Sequence, residues 1–121
     1  MKLYVDDIRP APEGWQQART VTDAIKFLAQ FGLEVDEISL DHDISYNVEV
    51  AGTQRPFPSP ETFQAVAYFI GIYYPISKAP KITVHSANPV GAHEIQKILQ
   101  TWSMESKYIP ASRVNRLESE V

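Results

Sequence analysis

Three short runs in this chain stop abruptly on acid or imidazole side chains. Leu3-Tyr4-Val5 stops at Asp6-Asp7, Glu37-Ile38-Ser39-Leu40 stops at Asp41-His42-Asp43, and Lys81-Ile82-Thr83-Val84 stops at His85-Ser86-Ala87-Asn88. Runs of this length, apolar or alternating and rich in β-branched residues, read as strands. Helical spacing fills the stretches between them. Thr20-Val21-Thr22-Asp23 is a capping-box-like start for a helix carrying Ala24, Ile25, Leu28 and Phe31, with Gly32 as its stop. Ser59-Pro60 reads as N-cap and first helical residue of a second helix. Phe63, Val66, Ala67, Ile70 and Tyr73 are its apolar stripe, a core face, and Pro75 ends it. Asn88-Pro89 repeats the same start before Ile95, Ile98, Leu99 and Trp102. Strands alternating with helices predict βαβ units and a mostly parallel sheet. In such a sheet all the strand C-termini share one edge, and ligands bind outside that edge. The three polar clusters are therefore expected to meet, although they lie far apart in sequence.

The rest of the chain is less clearly marked. Residues 8–16 hold two prolines and a glycine and read as a loop, Gln17-Ala18-Arg19 as a weak second strand, and Lys107-Tyr108-Ile109 as a last strand stopped by Pro110. The polar tail from Ala111 is expected to fray or pack loosely. His42 to Ser59 has no helical period, which marks a functional or disordered segment, with a small hairpin over Asn47–Thr53. At 121 residues the chain reads as a single domain, 1–121, with ordinary globular composition, 44% apolar and 21% charged. The absence of cysteine excludes disulfides, thiolate nucleophiles and cysteine metal sites. A formal charge of −4 argues against duplex DNA as a partner. With no apolar run of membrane-spanning length and no signal-type h-region, no membrane partner is expected, and the expected location is cytoplasmic.

Clustered carboxylates carry a physical demand. Two of them about 4 Å apart repel by roughly 4 kcal/mol at an effective dielectric of 20, so they share a proton or bind a cation. Asp6, Asp7 and Asp41, supported by Asp43, are candidate ligands for a divalent cation. Oxygen donors suit Mg²⁺ or Mn²⁺, with Ca²⁺ also possible on donor type. The ion would admit a phosphate that bare aspartates repel. His42 and His85, with Asp41, are the candidate catalytic groups. Arg9, Ser86 and Asn88 are candidate phosphate binders, helped by free N–H groups at the start of the Pro89 helix. Plainer readings stand beside these: aspartates as loop starts or caps, His85 as a hydrogen-bonded core histidine, and Asn88 as a helix cap. Arg9 can pair with an aspartate, and Trp15 can anchor a loop or offer a stacking surface. His93 reads as exposed surface.

The blocks Leu3–Trp15, Ile38–Asp43 and Val84–Gly91 together resemble the cyclic-phosphate processing receiver-like domain family. The resemblance implies a single three-layer α/β domain with a mostly parallel sheet of receiver-like (flavodoxin-like) topology. It implies action on cyclic phosphates, on a nucleotide or an RNA end. Against receivers, Asp6-Asp7 matches the acidic pair after strand one, Asp41 the phosphoacceptor position, and Ser86 the hydroxyl after strand four. The lysine that precedes a proline after strand five is missing: that place reads Ile109-Pro110, and Lys107 comes two residues early. The first receiver helix is replaced by the proline-rich segment 8–16. The expected function is a metal-assisted phosphoesterase-type activity on cyclic or terminal phosphates. The alternatives are a non-catalytic receiver-like regulatory module with the same acidic pocket, and a purely structural domain.

Overall fold

The structure is a computed structural model and describes residues 1–111. Seven strands form, β1 (Lys2–Val5), β2 (Gln16–Ala18), β3 (Glu37–Leu40), β4 (Asp43–Val50), β5 (Thr53–Thr62), β6 (Lys81–Ser86) and β7 (Lys107–Pro110). Three α-helices accompany them, α1 (Val21–Phe31), α2 (Gln64–Tyr73) and α3 (Pro89–Gln100). Five strands make one parallel sheet in the order β2-β1-β3-β6-β7, while β4 and β5 pair only as an antiparallel hairpin.

Alternation along the strands divides the sheet into two unlike sides. Leu3, Val5, Ile38, Leu40, Ile82 and Val84 share one side, all buried. They pack with Ala24 and Leu28 of α1, Val66 and Ile70 of α2, and Ile95 and Leu99 of α3 in a single core cluster. The opposite side carries Lys2, Tyr4, Glu37, Ser39, Lys81, Thr83 and His85. The first strand is therefore not apolar on both faces, since Tyr4 belongs to the polar side.

Connection direction explains this asymmetry. The steps β2 to β3, β3 to β6 and β6 to β7 run the same way across the sheet, so right-handed crossovers put α1, α2 and α3 on one side. Contacts between α1 and α2 and between α2 and α3 agree. The step from β1 to β2 runs the other way, and its connection is the loop 6–15, with no helix. Trp15 anchors that loop: its ring meets Tyr4 edge-on at 6.1 Å, with Lys2 Nζ 5.6 Å from the ring centre.

Thr20 caps α1 by accepting from Asp23 N, and Asn88 caps α3 by accepting from Gly91 N. The second helix starts later than Ser59-Pro60 suggests. Those residues lie in β5; the helix begins at Gln64, with Phe63 at the N-cap. A proline nitrogen is tolerated at a helix start and also at a strand position whose nitrogen faces away from the partner. Pro56 and Pro58, opposite Asn47 and Ser45, are two apart, so their nitrogens fall on the same side of β5, and Pro60 lies where the register shifts before Thr62, a pattern a lone Ser-Pro signal does not reveal. The hairpin is longer than the sequence suggests, and it turns at Ala51 and Gly52, both with positive φ (51° and 78°), the I′ pattern. The expectation for the tail concerns residues that, beyond Ala111, lie outside the described ones.

Candidate functional site

The ladder carries Asp6 and Asp41 one step past β1 and β3: Asp6 N donates to Ala18 O, and Asp41 N to Val5 O. Each acid divides its two oxygens between tasks. Asp6 Oδ1 accepts from the backbone N–H groups of Ile8 and Arg9, both at 2.8 Å, which turns the chain into the loop. Asp41 Oδ1 accepts from His42 N at 2.8 Å. The Oδ2 atoms face the charged groups. Arg9 Nη1 lies 3.2 Å from Asp6 Oδ2 and 3.5 Å from Asp41 Oδ2. Asp7 Oδ2 accepts from Ser45 N and Oγ at 2.7 and 3.1 Å, which ties the root of the hairpin to the first strand end.

His85 reaches Asp6 from β6: its Nε2 is 3.0 Å from Asp6 Oδ2 and its Nδ1 is 2.6 Å from Ser39 Oγ. The ring stacks on Tyr4 at 4.3 Å and 7°. Nε2 faces the Asp6 carboxylate and Nδ1 faces the Ser39 hydroxyl, so both ring nitrogens are used. Asp6 is fully buried. Burial pushes its carboxyl up, but the His85 hydrogen bond, the N–H groups of Ile8 and Arg9 and the His85 charge together outweigh this and hold it below 3.8. Burial first, and then the negative Asp6, push the Tyr4 hydroxyl up to about 12.

The second imidazole sits on the helix side. His42 Nδ1 is 2.7 Å from Asp43 Oδ1, and its Nε2 is 2.9 Å from the Gln64 side-chain nitrogen. Asn88 Nδ2 donates to the same Asp43 oxygen at 3.1 Å. The His42 ring occupies the space beside Gly91, where a Cβ would come 2.4 Å from Nδ1. Ser86 is buried, and its Oγ accepts from Asn88 N at 3.0 Å. Lys107 pairs with Thr83, three rungs back from the Ser86–Pro110 rung, so it does not stand at the strand ends.

The three strand-end clusters thus converge, as their placement in sequence predicts. Asp6 meets His85, Arg9 spans Asp6 and Asp41, and Asp43 meets Asn88. Oxygens of Asp6, Asp7 and Asp41 lie within 4.8 Å of one another, a donor set of hard oxygens that fits Mg²⁺ or Mn²⁺. Asp43 instead turns to His42 and Asn88. Asn88 spends Oδ1 on capping α3, and His93 is exposed. Ser39, Ser45, Gln64 and Gly91 went unnoticed in the sequence. Ser39 carried a usable signal, because strand alternation puts it on the same side as Asp41. Gln64 carried none, since its role depends on where α2 begins.

Fold and site together define a receiver-like α/β domain: a five-stranded parallel sheet, its first strand second from the edge, with acids at the ends of the two adjoining strands. The chain belongs to the cyclic-phosphate processing receiver domain family, which it matches over residues 1–101. No curated protein and no solved structure matches it. Among the described residues, no helix is long and apolar enough to cross a membrane.

Proposed function

We propose that this domain is a metal-assisted phosphoesterase-type enzyme that opens or transfers a cyclic or terminal phosphate on nucleotides or RNA ends. The reading is supported by one observation above others. A carboxylate pair, a guanidinium and two imidazoles from separate strand ends share one rim, in a family named for cyclic phosphates. Asp6, Asp7 and Asp41 would hold a Mg²⁺ or Mn²⁺, which would polarise a phosphoryl oxygen and offset the carboxylate charge.

The chain's own groups divide the remaining work. Asp43 holds the His42 Nδ1–H, so the basic lone pair is on Nε2, where the Gln64 amide now donates. A water that takes the place of that amide gives its proton to Nε2 as its oxygen bonds to phosphorus. One ring P–O bond breaks, and the leaving ribose oxygen takes the proton back from Nε2. The net change is addition of one water across the cyclic ester. His85, committed to Ser39 and Asp6 and stacked on Tyr4, acts as a positioning residue that keeps Asp6 ionised and aimed. Ser86 accepts from Asn88 N, which directs its own hydroxyl hydrogen toward a phosphoryl oxygen, beside the N-terminus of α3. Arg9 supplies positive charge at the same rim.

A panel of 2′,3′-cyclic nucleotides tests this. Turnover is expected only with Mg²⁺ or Mn²⁺, and His42→Ala should lower it by about 10²–10⁴-fold. Absence of product with every substrate, together with labelling of Asp41 by acetyl phosphate, would establish the regulatory alternative instead.

A further inference from the structure

We infer that Arg9 is a built-in cation that occupies the acidic site when no metal is bound, and that metal uptake releases it toward the phosphate. The inference rests on the metal-site reading above. Its basis is how the oxygens are shared out. Asp6 Oδ1 and Asp41 Oδ1 are spent on backbone N–H groups. The Oδ2 atoms are the ones turned toward charge, and both receive the same guanidinium nitrogen, at 3.2 and 3.5 Å. The Arg9 side chain is nearly buried, at 11% exposed, between acids that are 0% and 1% exposed.

A divalent ion held by Asp6 and Asp41 would draw on those same Oδ2 lone pairs. An ion and the guanidinium crowded onto the same two oxygens repel each other, and this favours release of Arg9. Lys107 does not stand at this rim, because it pairs with Thr83, three rungs back from the Ser86–Pro110 rung. Arg9 also stands on the loop that begins at the first acid. Released from the carboxylates, its planar fork is suited to two phosphoryl oxygens. The same residue then serves twice: it neutralises the buried acids in the resting protein, and it grips the substrate in the loaded one.

The test uses the full chain and metal ions alone, followed by substrate. In calorimetry with Mg²⁺ and with Mn²⁺, Arg9→Gln should bind the ion about tenfold more tightly than wild type, and Arg9→Lys by less. Both variants should raise KM for a 2′,3′-cyclic nucleotide more than they lower kcat. Should Arg9→Gln fail to fold, the wild type still decides: ¹⁵N resonances of the Arg9 guanidinium, slowly exchanging without metal, should shift and exchange faster on Mg²⁺ addition. Weaker ion binding by Arg9→Gln, or bound Mg²⁺ with the guanidinium signals unmoved, overturns the inference while the metal site stands. No ion binding by wild type or variant removes the metal site, and this inference with it.

Discussion

The two imidazoles of the rim are held in opposite ways. His85 is clamped inside the sheet: Ser39 on the adjacent strand takes one nitrogen, the buried Asp6 takes the other, and Tyr4 covers its face. His42 stands just past β3, where Asp43 and Gln64 hold its nitrogens from the root of the hairpin and the start of α2. The Asp43 side chain is 47% exposed, whereas Asp6 is fully buried. Exposed partners can be exchanged for water or substrate at little cost, but buried ones cannot, because an orphaned buried polar group costs about 1–3 kcal/mol. The contrast makes His85 part of the scaffold and leaves His42 with partners that water or substrate can replace.

The largest expected effect falls on the clamped half. Asp6→Ala removes one acceptor from each of Arg9, His85 and two backbone N–H groups, and should cost about 3–5 kcal/mol in urea unfolding. The same half carries an acid limit. Because the Asp6 carboxyl lies below 3.8 in the fold, its stabilisation is whole above that value. It is lost as pH falls below 3.8 and through the lower folded value, since the unfolded chain takes up the proton first. Asp6→Asn should flatten that part of the stability–pH curve; an unchanged curve would sever the link between Asp6 and the clamp.

On the other half, Gly91→Ala drives a methyl into the His42 ring and should destabilise by about 1–3 kcal/mol. The displaced ring should also show altered ¹⁵N tautomer shifts for His42 while those of His85 stay put. Gln64→Ala should cost about 1 kcal/mol or less, with Nε2 then open to water. If Gln64→Ala unfolds the protein as readily as Asp6→Ala, the two halves are not different in kind. The smallest effect is spectroscopic. Tyr4 is pushed up to about 12 from an ordinary 10.0. Its stabilising effect is therefore present below pH 10 and lost as pH rises through 12, and Tyr4→Phe should remove one late step from the ultraviolet tyrosinate titration, in which Tyr74 shares the late range.

Much of the scaffold was legible in the sequence. Leu3, Val5, Ile38, Leu40, Ile82 and Val84 announce their strands by apolar and β-branched character, and Asn88-Pro89 announces α3 by cap chemistry; both signals are local. Ser59-Pro60 satisfies a helix start, yet it lies where the register of the hairpin shifts, a place that tolerates proline equally well. The meeting of Asp6, Asp41 and His85 was legible as well, because strand ends in a parallel sheet share one edge. Their separate duties were not. His85 with its buried partners and His42 with more exposed ones differ through Ser39, Tyr4 and Gln64, none of which adjoins either histidine in sequence.

By itself, then, the order of residues determined the alternating architecture and the shared rim, since periodicity and capping act over a few residues and parallel pairing brings the strand ends together. Tertiary structure alone decided which oxygen of each acid turns the chain and which faces charge. It also put Arg9 between two carboxylates and left one side of the sheet polar under a loop. Those outcomes depend on side-chain directions and on partners drawn from distant segments, and packing sets both only after the strands have paired.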